Sequence, residues 1–326
     1  MVQLHSFCAQ PTSLIRNEGM SNQPDAVSHR VYGCHIVSPF RLPAPLSCAD
    51  GSDLQLSYHL SLRSASLRPV RPVRTCPRRR AFFLHRPYDS IRVVGDSISV
   101  IPEITNSLAC QGDLIKSVVP VLLALRGECL LHASAFADGE GATVVLGESG
   151  AGKSTFAALA EQAGLRHLAD DICRLTLCNG QLVVYPSGTG KTLIPPAEDA
   201  VKNRRHGAVL HHGKWWLPEN DSTYSGTPVP LKRVLLLSTA SGKHVSLTHD
   251  DGLKALIRGT ICLHDFHHHL APRHLPLFSL LLRSIPVCLH PRGNSAAHSW
   301  ELFARNADSL VTLHPLRLYD DSRVSR

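Results

Sequence analysis

The sequence has few features of membrane, secreted or fibrous proteins. No apolar run reaches the roughly 18 to 20 residues that a membrane helix needs, and the first residues contain no continuous apolar segment typical of a secretory signal. Only 18% of the 326 residues are charged while 43% are apolar, which excludes an intrinsically disordered chain. Glycine and proline, 22 of each, show no period, which excludes a collagen-like rod. We therefore expect a soluble cytoplasmic protein.

Paired cysteines are also lacking. The ten cysteines contain no C-x-x-C spacing, so we expect reduced, mostly buried thiols. Histidines are clustered between His264 and His274, and a zinc site could be drawn from Cys262, His264 and His268. Zinc sites usually take ligands from two separate places at tight spacing. We therefore interpret the cluster as the His-rich end of a surface helix.

Basic residues exceed acidic ones, but their distribution is uneven. The chain carries 34 lysines and arginines against 26 acidic residues, a formal net charge of +8. Arginines crowd between Arg63 and Arg86, where Pro69, Pro72 and Pro77 interrupt the run. Basic runs can bind phosphate, yet this one has the proline breaks of a solvated loop and lacks the interleaved aromatics of a nucleic-acid stacking surface. We expect neither a nucleic-acid nor a membrane partner.

The residue patterns divide the chain into three parts. Residues 1–30 are polar and aperiodic, and we expect a disordered tail. Residues 31–111 contain short strand-like runs separated by Gly, Pro and Asp, namely VYGCHIV, DLQLSYHL, AFFLH, IRVVG and SISVIP, which predict a small antiparallel β-rich module. Residues 112–326 form the main domain, which begins with a helix from about Gly112 to Arg126 that Pro120 should kink or break.

The main domain mixes strand-like and helical patterns. Single strands are expected at ECLLHASAF, ATVVLG, HLADDICRLTL, QLVVYP, KTLIP, KWWLP, PLKRVLLLS and PVCLH. Helices are expected at Asp250 to Arg258, Leu275 to Arg283 and His298 to Ser309. Strands on both sides of the central motif predict a mixed α/β core with antiparallel pairing rather than a doubly wound sheet.

The strongest motif is GESGAGKS, from Gly147 to Ser154, which fits G-x-x-x-x-G-K-[ST] between a strand and a helix expected up to Ala163. Its glycines permit backbone angles that turn successive N–H groups inward as an anion nest, and the helix N-terminus adds positive charge. We expect ATP here, with Lys153 reaching the β and γ phosphates and Ser154 on Mg²⁺. The predicted nucleotide-binding residues are Gly147, Glu148, Ser149, Gly150, Ala151, Gly152, Lys153, Ser154 and Thr155.

Three further features surround this loop. Asp170 and Asp171 follow the helix, where one carboxylate can hold Mg²⁺, directly or through water, while the other accepts a hydroxyl proton. His132 is a lone histidine in an apolar run, a pattern more typical of a core residue than of a catalyst. The segment SGTGKT, from Ser187 to Thr192, superficially repeats the loop motif, but we interpret it as a turn between strands near the site.

Together these pieces resemble the C-terminal catalytic domain of the HPr kinase/phosphorylase family. That family carries a His before the loop, the loop itself as GxSGxGKS, and Ala-Asp-Asp after the helix, matched here by His132, the GESGAGKS segment and Ala169-Asp170-Asp171. The phrases RGECLLHASAF, GESGAGKST and LADD also resemble stand-alone HPr-kinase-like serine kinases, some of them from lasso peptide clusters. The segment VYGCHIVSPFRLPAP resembles the opening of their N-terminal module.

The resemblance implies an HPr kinase/PEP-carboxykinase-like mixed sheet and an ATP- and Mg²⁺-dependent kinase acting on a serine of a peptide, a protein or a small hydroxylated substrate. It implies that Asp171 is the general base, Lys153 the phosphate clamp and Ser154 a Mg²⁺ ligand. His132 would neighbour the transferred phosphoryl group, and Asp170 would support the metal or the base.

The sequence departs from the family pattern at three places. Thr155 stands where the bifunctional enzymes carry Glu, and YPSGTGKTLIPPAED replaces their EIRGLGI-type signature, leaving Glu198 as a weak substitute for its metal-binding Glu. The PRGN segment echoes a family loop, with Arg292 as a candidate phosphate contact. The resemblance therefore favours kinase chemistry on another acceptor over phosphorylase activity or recognition of HPr.

Two other functions remain open at this point. An ATP-binding regulatory module with little phosphoryl transfer fits the missing downstream Glu. A nucleic-acid-associated ATPase built on the arginine run would bind DNA or RNA in a salt-dependent manner. The sequence does not identify the acceptor, and it leaves open whether the protein forms an oligomer.

Overall fold

The computed structural model describes residues 27–38, 41–47, 57–62, 75–76, 81–86, 89–94, 97–100, 108–193, 208–211, 214–219, 224–238, 244–261 and 263–291, together with 298, 300, 301 and 303. For residues 57–62, 75–76, 81–86, 89–94, 97–100, 109, 110, 125, 193, 211 and 263–269 it describes only the backbone. The fold is mixed α/β, with a curled mixed sheet and few helices. No helix in these residues is long and apolar enough to cross a membrane.

The N-terminal sheet has seven strands and is mixed rather than antiparallel. Its strands are β1 (Val27–Val31), β2 (Cys34–Ser38), β3 (Ser57–Leu62), β4 (Thr75–Cys76), β5 (Ala81–Arg86), β6 (Asp89–Val94) and β7 (Ser97–Val100), in the order β1-β2-β3-β7-β6-β5-β4. The prediction of an antiparallel module is wrong for β3, which is parallel to both β2 and β7. The reason is that β4, β5 and β6 intervene before the chain returns beside β3.

The N-terminal hairpin differs from its prediction in two ways. Strand β1 begins at Val27, inside the predicted tail, because the buried His29 ring binds the backbone of Leu42 and Ala44. The run VYGCHIV is not one strand, since it turns at Tyr32 and Gly33, whose φ angles are 53° and 71°. Residues 1–26 and most of the arginine run lie outside the described residues.

The helix at the start of the main domain changes type along its length. It comprises α1 (Leu108–Asp113), a π-helical segment (Leu114–Val118) and α2 (Val119–Leu125). Pro120 lies in the first turn of α2, where a missing N–H has least effect. The kink or break predicted at Pro120 is instead a π-turn just before the proline, and the helix continues through it. The helical run also begins earlier than predicted, at Leu108 rather than at Gly112.

The central sheet is a curled, mixed sheet of nine strands. Its strands are β8 (Cys129–Leu131), β9 (Ser134–Ala137), β10 (Ala142–Leu146), β11 (Arg166–Ala169), β12 (Cys173–Cys178), β13 (Gln181–Tyr185), β17 (Val229–Ser238), β18 (Val245–Ser246) and β19 (Val287–Pro291). The order is β11-β9-β10-β17-β13-β12-β8, with β19 also paired to β17 and β18 paired to β19. A separate three-stranded sheet contains β14 (Lys191–Leu193), β15 (Val209–His211) and β16 (Lys214–Leu217).

The helices of the main domain are α3 (Lys153–Gln162), α4 (His249–Gly259) and α5 (Leu263–Ser284). Helices α3 and α4 confirm their predictions within a residue or so, and the predicted helix from Leu275 lies within the longer α5. Of the last predicted helix, residues 298, 300, 301 and 303 are helical and the rest lie outside the described residues.

Two runs predicted as single strands are each broken in the middle. ECLLHASAF forms β8 and β9, which are separated by His132 and Ala133. HLADDICRLTL forms β11 and β12, which are separated by Asp170, Asp171 and Ile172. In both cases the first and second strands have different partners, so the chain must bend between them. These two bends carry the candidate catalytic residues.

One buried cluster joins the N-terminal hairpin to the main domain. Val31, Tyr32 and Ile36 pack with residues of the π-helical segment and α2. Arg174 is buried, with 1% of its surface exposed. Its guanidinium group donates to the carbonyl oxygen of Tyr32 at 2.8 Å and to Oε2 of Glu128 at 2.9 Å. The boundary between the module and the main domain stays a prediction, but the hairpin packs directly on the side of the main domain that carries the site.

Candidate functional site

The strand topology gathers the predicted site residues at one edge of the sheet. Strand β9 is antiparallel to both β10 and β11, so β10 and β11 run in the same direction and end at the same edge. The loop that begins at Gly147 follows β10, the Asp170–Asp171 bend follows β11, and His132 precedes β9. Neighbouring strands lie about 4.8 Å apart, so these three segments are brought together although they are distant in sequence.

The loop after β10 has the backbone that its glycines were expected to provide. Gly150 and Gly152 have φ angles of 79° and 95°, in the left-handed region that favours glycine. Gly152 is the N-cap of α3, so the chain turns directly from the loop into the helix. A Cβ at Gly147 would lie 3.0 Å from Cβ of Ala151. The loop is therefore tight at its first residue and opens to solvent at Glu148, Ser149 and Gly150.

Lys153 is folded back over this loop. Its Nζ donates to the carbonyl oxygens of Gly147 at 2.9 Å and Glu148 at 3.1 Å, and the residue is 7% exposed. Burial lowers the pKa of Lys153, an effect that the charges of Asp171 and Asp170 oppose. The ammonium group is thus held at the loop by neutral oxygens, which phosphate oxygens could replace. Ser154 is half-buried and Thr155 exposed on the first turn of the same helix.

Asp170 is buried and holds three parts of the site together. Its Oδ1 accepts hydrogen bonds from Oγ of Ser134 at 2.8 Å and from the main-chain N–H of Asp171 at 3.1 Å. Its Oδ2 accepts one from the main-chain N–H of Thr192 at 2.8 Å. The carboxylate is therefore already engaged by protein donors on both oxygens, and it ties β9, the bend after β11 and the Ser187–Thr192 segment to one another.

The backbone of Asp171 has a left-handed conformation, which is strained for an aspartate. Its φ of 70° is uncommon for a residue other than glycine. Oδ2 lies 3.3 Å from Nζ of Lys116 and accepts a hydrogen bond from Oγ1 of Thr192 at 3.3 Å. Burial raises the pKa of the Asp171 carboxyl, but the charges of Lys116 and Lys214, the Lys116 hydrogen bond and the charge of His132 together hold it below its usual range. At neutral pH this side chain is a fixed, partly exposed carboxylate.

His132 lies beside Asp171, so it is not a buried core residue. The ring is exposed, and Nδ1 donates to the main-chain oxygen of Asp171 at 3.0 Å. Desolvation by the surrounding chain, followed by the charge of Lys153, lowers the pKa of His132. The interpretation of this lone histidine as a core residue is wrong, because the residue is exposed. The position beside a transferred phosphoryl group, which the resemblance implies, stays a prediction.

Two lysines at the site were missed by the sequence reasoning. Lys116, on the π-helical segment, has a side chain only 8% exposed, and its Nζ donates to Oγ1 of Thr192 at 3.0 Å. Lys214 is exposed at the start of β16, and its charge acts on His132, Lys153 and Asp171. A single lysine within the apolar run LIKSVVPVLL was the available signal for Lys116, but no such signal marks Lys214.

Several other predicted positions have a clear outcome or none. Residues 187–190 lie in the connection from β13 to β14, as expected, whereas Lys191 and Thr192 already belong to β14, and Thr192 bonds to Asp170 of the acid pair. Of the cysteines that the structure describes, Cys34, Cys129, Cys173 and Cys288 are buried and all are free thiols, as expected. Glu198, Arg292 and the side chains of Cys262, His264 and His268 lie outside the described part of the chain. The described residues contain no group of three or more metal-binding side chains.

Comparisons with known proteins add little to this geometry. No family model matches the chain, and no curated protein matches it. Among solved structures it is similar to the Hpr(Ser) kinase/phosphatase from Coxiella burnetii, with a TM-score of 0.29 and 14% identity over 55% of this chain and 95% of that chain. This overlap is too weak to support a statement about fold or function, which depend on the residues described above.

Proposed function

We propose that the protein is an ATP- and Mg²⁺-dependent serine kinase that transfers a phosphoryl group to a peptide, a protein or a small hydroxylated substrate. The observation that supports the proposal is geometric: the glycine-rich loop after β10 and the partly exposed Asp171 carboxylate after β11 lie at the same edge of the sheet, because β10 and β11 are both antiparallel to β9. Phosphoryl transfer requires mainly positioning and charge neutralisation, and both kinds of group are present at this edge of the sheet.

Each residue has a defined role in the proposal. The N–H groups of the Gly147–Thr155 segment and the N-terminus of α3 bind the phosphates. Lys153 exchanges its two carbonyl partners for phosphate oxygens. Among the residues that the structure describes, both polar partners of the Asp171 side chain contact Oδ2, which leaves Oδ1 to accept the proton of the acceptor hydroxyl. His132, whose Nδ1 is bonded to the main-chain oxygen of Asp171, neighbours the transferred phosphoryl group in this proposal.

Magnesium would neutralise charge on the phosphates. Ser154 and Asp170, the two residues expected to hold it, differ in how well they suit direct coordination. Ser154 is half-buried in the first turn of α3, where the motif places a hydroxyl ligand. Asp170 accepts three hydrogen bonds from the protein, so in the proposal it acts on the metal through water and chiefly holds the bend that presents Asp171.

The test measures nucleotide binding and phosphoryl transfer separately. Calorimetry with Mg·ATP gives the dissociation constant, and an arrayed library of serine peptides with γ-labelled ATP measures transfer. Lys153→Ala should weaken ATP binding by at least about tenfold, because it removes the cation that pairs with the phosphates. Asp171→Asn should leave ATP binding within about twofold and reduce transfer by about a hundredfold or more, as expected for a lost general base.

Lys254→Met is the matched control, because Lys254 is exposed and forms an ion pair with the exposed Asp251. It should retain both activities. Tight ATP binding with no transfer to any peptide in the library, or to proteins in a cell extract, would instead support the regulatory module. Undiminished transfer by the Asp171→Asn variant would remove Asp171 as the base.

A further inference from the structure

A buried lysine lies directly against the proposed base. Lys116 is the third residue of the π-helical segment Leu114–Val118, in a stretch where Leu114, Ile115 and Val118 are all buried. Its side chain is 8% exposed, although lysine is almost never fully buried unless it is paired. Its position therefore requires partners, and the structure places them at the site.

The partners of Lys116 are the Asp171 carboxylate and the Thr192 hydroxyl group, which also bond to each other. Nζ lies 3.3 Å from Oδ2 of Asp171 and donates to Oγ1 of Thr192 at 3.0 Å. Thr192 Oγ1 donates in turn to the same Oδ2 at 3.3 Å. These three contacts form a closed triangle on one oxygen of the carboxylate, and the ring of Trp216 lies 5.8 Å from Nζ on another side.

The helix geometry is unusual at this position. A π-turn inserts an extra residue in the helical ladder and is frequently found at functional sites. Here the N–H of Val119 bonds to the carbonyl of Leu114, and the wider turn carries Lys116. Because the following Pro120 has no N–H to donate, the π-turn does not cost the helix a bond at that residue.

We propose that Lys116 is a positioning residue for the phosphoryl transfer, which holds the Asp171 carboxylate through Oδ2 so that Oδ1 faces the acceptor hydroxyl. This inference rests on the proposed kinase function. The inference adds a cation, Lys116, to the proposed site. Lys116 belongs to a helix that precedes the glycine-rich loop in sequence, and the loop motif does not include it. Thr192 is the second point of attachment, and Lys214 and His132 are further groups whose charges act on Asp171.

The test separates binding from turnover. In the serine-peptide assay, Lys116→Met should lower kcat by about tenfold to a hundredfold, because small displacements of a reacting group cost this much. The KM for Mg·ATP should remain within about twofold of wild type, since Lys116 does not contact the loop. Lys116→Arg, which keeps the charge, should recover part of the loss. Thr192→Val, which removes one contact and keeps the shape, should lower kcat in the same direction by a smaller factor.

A double-variant cycle shows whether Lys116 acts through Asp171. In the Asp171→Asn background, the further change Lys116→Met should alter the residual rate by less than about twofold, because the group it positions is absent. Independent, multiplicative effects would overturn the inference, as would a Lys116→Met enzyme with wild-type kcat. If Lys116→Met does not fold, Thr192→Val decides, and an unchanged kcat in that variant overturns the inference. If the wild-type protein transfers nothing, the proposed function fails and the positioning role falls with it.

Discussion

Nδ1 of His132 lies 3.0 Å from the main-chain carbonyl oxygen of Asp171. A carbonyl oxygen can only accept a hydrogen bond, so Nδ1 carries the proton and, in the neutral ring, Nε2 is free to accept one. The main-chain N–H of Ala133 donates to the same oxygen at 3.2 Å. The bend before β9 and the bend after β11 are therefore joined at Asp171, whose backbone orients the imidazole.

The first prediction concerns this histidine. His132→Ala should lower phosphoryl transfer by about tenfold to a hundredfold while ATP affinity changes by less than about twofold, because the proposed mechanism places the ring beside the transferred group and not on the loop. Initial rates with serine peptides and calorimetry with Mg·ATP measure the two quantities. His249→Ala, at an exposed histidine on α4, should change neither. An equal loss of affinity and rate would place His132 in nucleotide binding instead.

The second prediction concerns the stability contributed by Asp170. Asp170→Asn replaces one acceptor oxygen by an N–H₂ group that must face a protein donor, so the free energy of unfolding should fall by about 2 to 4 kcal/mol. Urea denaturation followed by circular dichroism measures the change. Asp250→Asn, at an exposed position on α4, should stay within about 0.5 kcal/mol of wild type. A similarly small loss for Asp170→Asn would show that the three hydrogen bonds are dispensable.

The third prediction is a pH dependence that arises from His274. This residue of α5 is 1% exposed, and within the described part of the chain no group meets hydrogen-bond geometry at either ring nitrogen. Burial lowers the pKa of His274 below 6.5, an effect that the nearby backbone and charge of Glu128 only partly offset. A histidine with a lowered folded pKa contributes stability that is present above the unfolded pKa and is lost as the pH falls towards the folded value.

Stability should therefore decrease below about pH 6.5, with His274 contributing a slope of up to about 1.4 kcal/mol per pH unit. Urea denaturation of the wild type and of His274→Leu at several values between pH 7.5 and 5 measures this contribution as the difference between the two slopes. Because His35, His167 and His244 also have lowered pKa values, some slope should remain in the variant. Parallel slopes would contradict the assignment to His274.

The fourth prediction concerns the turn that docks the N-terminal hairpin. Gly33 has a φ of 71°, and a Cβ there would lie 2.2 Å from Cδ1 of Tyr185. Gly33→Ala should cost about 2 to 4 kcal/mol of folding free energy, because backbone strain and overpacking act together. Gly139→Ala is the matched control, since nothing lies within 4 Å of a Cβ at Gly139. Equal stability of the two variants would indicate that the hairpin moves away without cost.

Features that depend on local sequence were predicted well. The strand before Gly147 and the helix after it lie where their apolar patterns placed them, because residues close in the chain determine a strand–turn–helix unit. The left-handed conformations of Gly150 and Gly152 follow from the absence of a Cβ at those residues. The Asp138–Gly141 turn was likewise expected, and Oδ1 of Asp138 accepts from the backbone there.

Features that depend on pairing between distant segments were not predicted. An apolar run does not reveal that its two halves pair with different neighbours, so the breaks at His132 and at Asp171 were missed. The direction of β3 was wrong for the same reason, since strand direction depends on which strand arrives beside it. The exposure of His132 follows from one of these breaks, which turns its side chain out of the sheet.

The sequence by itself therefore determined the candidate nucleotide loop, its helix and the acid pair that follows. Only the tertiary structure shows the different environments of the two carboxylates, with Asp170 bonded to three segments and Asp171 left partly exposed. It alone also brought Lys116 to Asp171. A motif contains residues that are close in the sequence. The partner of a largely buried charge, in contrast, depends on which segments the folded sheet and helices bring within about 4 Å of it.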